Sequence, residues 1–78
     1  MHIKNIQDFP IEQLFPIKDT TDLKLRVTVG KNGDLFWVES DIISIEGSKI
    51  IHHLGIKQNL HSVYDAFQTG LNFYRQFY

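Results

Sequence analysis

From Leu23 onward, apolar and polar positions alternate with a period of two: Leu23, Leu25, Val27 and Val29 are separated by Lys24, Arg26 and Thr28. Side chains on a strand point alternately to opposite faces, so this spacing predicts a strand with one apolar face and one polar face. Gly30, Lys31, Asn32 and Gly33 follow, and strand-like composition resumes at Leu35. An Asn-Gly pair between two such runs signals a tight hairpin, because both central residues of a type I′ turn need positive φ. With Asn32 and Gly33 as the loop, Lys31 is expected opposite Asp34, Arg26 opposite Glu39 and Lys24 opposite Asp41. Opposite charges facing each other across strands support that register. It also sets Val29 beside Phe36, Val27 beside Val38 and Leu25 beside Ser40 on the inner face, with Trp37 opposite Thr28 on the outer one.

Further along, Ile43 and Ile45 have the opposite parity to Phe36 and Val38. A regular strand would turn Ser44 and Glu46 inward, so a bulge or bend is expected near residues 40–42. A second turn at Gly47-Ser48 would let Glu46 face Lys49 and Ile45 face Ile50, with the next strand running through Ile51, His52, His53 and Leu54 to Gly55. The period then lengthens. Leu60, Val63, Phe67, Leu71, Tyr74 and Tyr78 recur at steps of three and four, and Ser62 and Asp65 have capping-box spacing. Ala66, Gly70, Phe73 and Phe77 widen the apolar stripe to about half the helix circumference, at roughly 100° per residue. A stripe that wide touches two surfaces: the sheet, and either the N-terminal segment or another molecule.

At the N-terminus, Ile3, Ile6, Phe9, Ile11, Leu14, Phe15 and Ile17 surround the two steps Phe9-Pro10 and Phe15-Pro16. Proline suits the first turn of a helix and stops its continuation, so residues 10–15 read as one short helical turn. This apolar segment is expected as a lid on the core or as a surface offered to another chain. The fold class is therefore α+β. One domain spans residues 1–78: an N-terminal apolar segment (1–18), an antiparallel meander of three strands or four if the middle one splits (23–54), and one amphipathic helix (60–77) packed on one sheet face.

Composition narrows the function classes. With 78 residues and no cysteine, the chain has a small core and no disulfide to reinforce it, so a partner subunit is the natural supplement. Eight Lys and Arg stand against nine Asp and Glu, which argues against binding that relies on neutralising phosphates. No apolar run approaches the ~20 residues of a membrane span, and residues 1–5 do not look like a signal peptide. A cytoplasmic location is expected.

Candidate chemistry is sparse. His52 and His53 are adjacent on a strand and so point to opposite faces; with no cysteine and no His-x-x-x-His pair, neither a metal nor another cofactor is expected. Ser40, Ser44, Ser48 and Ser62 lie outside any nucleophile elbow, and a chain this small has little room for a pocket of the usual ~300 Å³. Glycines 30 and 33 fit a hairpin better than a phosphate loop, since they lead into a strand. The chain is therefore not expected to be an enzyme.

Two surfaces are candidates for binding. Trp37, with Leu35, Arg26, Thr28 and Glu39, forms an aromatic centre ringed by charge on the outer sheet face, the composition of an interaction patch. Phe73, Tyr74, Phe77 and Tyr78 form an aromatic edge suited to a homodimer or partner contact. In element order alone the chain resembles the three-stranded-sheet-plus-helix modules of integrase arm-binding and plant AP2-type DNA-binding domains, which lay a basic sheet face into the major groove. Here Lys24, Arg26 and Lys31 are each balanced by an acid, so no motif carries the resemblance and no family is assigned. The expected function is a small non-enzymatic protein-interaction module, of the accessory or inhibitor type found in phages and mobile elements, acting as a homodimer. The alternative is single-stranded nucleic-acid binding, with Trp37 as stacking platform and Arg26, Lys24 and Lys31 for phosphates.

Overall fold

A computed structural model describes residues 9–77. Four antiparallel strands, β1 (Ile11–Pro16), β2 (Leu23–Asn32), β3 (Leu35–Ser44) and β4 (Lys49–Leu60), form one sheet in chain order, and helix α1 (Val63–Phe77) packs on one face. The architecture is α+β, a four-stranded meander with a C-terminal helix. No helix of the described residues is long and apolar enough to cross a membrane.

The first strand replaces the helical turn expected at residues 10–15. Ile11 pairs with Val29 and Pro16 with Lys24, so the segment runs along the sheet edge. An edge strand tolerates a proline at its end, where the missing N–H faces no partner. Alternation within it turns Ile11 and Phe15 toward the helix side and Glu12 and Leu14 to the other face. Phe9, Phe15 and Ile17 pack against the core, whereas Ile3 and Ile6 lie outside the described residues.

The β2–β3 hairpin closes one residue later than expected, which shifts every cross-strand pairing by two. Asn32 pairs with Leu35, leaving Gly33 and Asp34 as the loop, with Gly33 at φ 66°. That is the first loop position, which a type II′ turn reserves for glycine. A shift of two leaves every side chain on its expected face and changes every pairing. Arg26 faces Asp41 instead of Glu39, Lys24 faces Ile43, Val29 faces Val38, and Trp37 faces Gly30 instead of Thr28.

The expected bend in β3 is absent; its register against β2 is continuous from Leu35 to Ser44. The irregularities fall in β4, where the pairing with β3 shifts between Phe36 and Val38, between Ser40 and Asp41, and between Ile42 and Ile43. Ile42 and Ser44 consequently face inward and are buried, while Ile45 is exposed. The turn between them spans residues 45–48, so Lys49 pairs with Ser44 and Ile50 with Ile43. Asp22 holds this turn: its Oδ1 accepts the Glu46 N–H at 2.7 Å, and its Oδ2 accepts the Ser44 hydroxyl.

Leu25, Val27, Val29, Val38, Ile42, Leu54 and Ala66 form the buried centre between sheet and helix. The helix begins where its cap predicts, with the Asp65 N–H donating to Ser62 Oγ at 3.0 Å. Leu60 ends β4 and is not part of the helix. Gly70 brings the helix down onto the sheet: a Cβ there would lie 2.7 Å from Val27 Cγ1 and 3.0 Å from Val38 Cγ2. Ser40 Oγ donates to the Gly70 carbonyl at 2.8 Å across this contact.

Candidate functional site on the open sheet face

The helix covers one sheet face only. Outer-facing positions of β2 and β3 are set by the same alternation that builds the core: Lys24, Arg26 and Thr28 on β2; Leu35, Trp37, Glu39, Asp41 and Ile43 on β3. The five patch residues expected from sequence, Trp37, Leu35, Arg26, Thr28 and Glu39, thus share one face. β1 adds Glu12 and Leu14, paired with Thr28 and Arg26, and β4 adds Ile50, His53 and Ile56, paired with Ile43, Asp41 and Glu39. The indole of Trp37 lies over Gly30, where a Cβ would come 2.0 Å from its Cε2, so glycine makes room for the ring.

The centre of this face is a connected charge network. Arg26 Nη2 donates to Asp41 Oδ2 at 3.2 Å, and Arg26 Nη1 lies 3.7 Å from Glu12 Oε2. His53 Nδ1 lies 2.8 Å from Asp41 Oδ1 and 3.4 Å from Glu39 Oε2. The Asp41 side chain is 0% exposed although, among the described residues, no element packs on this face, while His53 is 50% exposed. A carboxylate removed from water in this way needs compensating donors, and Arg26 and His53 supply them.

Asp41 was legible as an outer-face acid, but opposite Lys24 instead of Arg26, and His53 and Glu12 were not legible as site residues. The hairpin register decides which acid faces Arg26, and both loop choices keep the same faces. His53 reaches Asp41 because Leu54 is an extra residue in β4 between the pairs Asp41–His53 and Ser40–Gly55. Glu12 joins only through the unexpected first strand. The opposite orientation of the two histidines does hold: His52 packs edge-on against the Phe77 ring at 5.7 Å, on the helix side.

The aromatic edge divides. Phe73 and Tyr74 pack against the core, Phe73 over Gly55, whereas Phe77 is 55% exposed. The Tyr78 side chain lies outside the described residues. A groove of about 590 Å³ beside the helix end, lined by residues including Ile17, Leu23, Ile42, Ile51 and His52, is larger than the chain length suggested. Two shallower hollows of about 380 and 340 Å³ flank the outer network, one beside Arg26, Ile43 and Ile50, the other beside Trp37, Glu39 and Ile56. Comparison with family models, curated proteins and solved structures finds no match.

Proposed function

We propose that this chain is a non-enzymatic protein-interaction module, and that the occupant of its open sheet face is a second copy of itself. The observation that carries this reading is how the face is divided. Its β1–β2 half holds two bases, Lys24 and Arg26, against one acid, Glu12; its β3–β4 half holds the acids Glu39 and Asp41. A two-fold axis parallel to the strands, passing between β2 and β3, lays β2 of one copy over β3 of the other. Arg26 of the second copy then lies level with Asp41 in the acidic half, two residues along the strand from Glu39.

The same operation sets Leu14, 47% exposed, against the β4 edge of the second copy, where Ile50 and Ile56 are 51% and 53% exposed. Aliphatic side chains left half in water on a sheet face that no other described element covers support an interface there, and face-to-face packing of two sheets is a standard way to bury them. Charged groups at the centre set orientation more than affinity. Nucleic acid fits this face less well: Arg26 is already committed to Asp41 and Glu12, and the acids Glu39 and Asp41 lie at its centre, although Lys31 and Lys49 line its flanking hollows.

Sedimentation velocity tests the reading. Wild type is expected to sediment as a concentration-dependent dimer and Leu14→Arg as a monomer, while Tyr64→Arg, on the exposed side of the helix, leaves the dimer intact. A monomeric wild type, or a Leu14→Arg variant that associates as wild type does, overturns it.

A further inference from the structure

We infer that Glu39, Asp41 and His53 form a binding site for one divalent transition-metal ion of the zinc type. Their ligand atoms all lie within 4.8 Å of one another on adjacent strands β3 and β4. The His53 Nδ1 to Glu39 Oε2 separation of 3.4 Å is close to the edge of a tetrahedron with metal–ligand bonds of about 2.0 Å. The Nδ1 to Asp41 Oδ1 separation of 2.8 Å is a hydrogen-bond distance, so the ion takes the place of the proton between them and the imidazole moves outward by a few tenths of an ångström. His53 is half exposed and free to make that move, while Asp41 is held from behind by Arg26 on its other oxygen.

Charge balance points the same way. Two carboxylates converge on one imidazole, and one of them is wholly removed from water. Arg26 lies on the other side of Asp41 and is shared with Glu12, which leaves Asp41 Oδ1 and Glu39 Oε2 directed at the imidazole. One nitrogen donor and three protein ligands suit zinc and its neighbours; magnesium and calcium take six or more oxygens. The half-exposed imidazole leaves room for water in a fourth position. In this arrangement Arg26 is a positioning residue that fixes a ligand from outside the coordination sphere.

The site stands on its own geometry, independent of self-association. Because the same acids would meet Arg26 of a second copy, an ion competes with the dimer, and uptake is measured in the Leu14→Arg background as well as in wild type. The full chain, stripped with chelator, is titrated with zinc chloride by calorimetry. One equivalent is expected to bind, about tenfold or more weakly in both His53→Ala and Glu39→Gln, and unchanged in His52→Ala and His61→Ala. Nitrogen-15 spectra of the wild-type imidazoles give a readout that needs no variant to fold: zinc should shift the Nδ1 resonance of His53 and leave His52 in place. No uptake at micromolar zinc, uptake undiminished in either His53→Ala or Glu39→Gln, or a ring shift at His52 instead of His53 overturns the assignment.

Discussion

Asp22 and Asp41 are held by different means, and for Asp22 those means predict a pH dependence of stability. Asp22 sits at the surface, yet its carboxyl titrates below the ordinary 3.8: first because the Glu46 N–H donates to it, then because the Ser44 hydroxyl does, with partial desolvation opposing and Ile45 and Lys24 adding smaller stabilisation. A carboxyl whose folded pKa is depressed adds stability above its unfolded pKa and loses it as the pH falls through that value toward the folded one. Wild type should therefore resist urea better than Asp22→Asn at neutral pH, and the gap between their midpoints should close as the pH drops below 3.8. A gap that does not change with pH would show that the Asp22 charge plays no part in holding the turn. Asp41, by contrast, is enclosed by Arg26 and His53 and owes its place to the pairing of β3 with both neighbours.

At the scale of elements, the alternation of β2, the cap at Ser62 and the stripe of α1 were all legible, because each is a local pattern that burial enforces. Three features were not. The first strand hides its period behind two Phe-Pro steps, and its inner row is interrupted by Gln13, opposite Val27. The hairpin offered two loops, Asn32-Gly33 and Gly33-Asp34, that keep the same faces, so hydrophobic pattern cannot choose between them. Extra residues in β4 leave no periodic mark, since a bulge is defined by the strand beside it. Each of these errors moved a site residue: Glu12, Asp41 and His53 respectively.

The packing of α1 on the sheet depends on one position. Gly70→Ala adds a helix-favouring residue, worth about 1 kcal/mol, but drives a methyl into Val27, Val38 and Ser40. Overpacking at such a contact costs roughly 1–3 kcal/mol, so the variant should unfold at lower denaturant than wild type, with the helix content of the folded state retained. An increase in stability would mean that the helix can lift from the sheet at no cost.

Over the whole molecule, the helix gives the sheet one dry face and leaves the other with aliphatic edges around a charged centre. A 78-residue chain without disulfides buries a modest fraction of its surface, and among the described residues seven side chains make up the buried apolar centre. Near-neutral composition therefore does not mean a featureless surface: on the open face, bases favour the β1–β2 half and acids the β3–β4 half. The proposed sheet-to-sheet association, in the orientation these halves select, would account for the exposure of Leu14, Ile50 and Ile56, the charge division and the small core together. Intermolecular NOEs in a sample mixed from two differently labelled preparations test this most directly. Contacts from the Leu14 methyls of one copy to the Ile50 and Ile56 methyls of the other are the predicted result; contacts confined to the helix around Phe77, or none between copies, would contradict it.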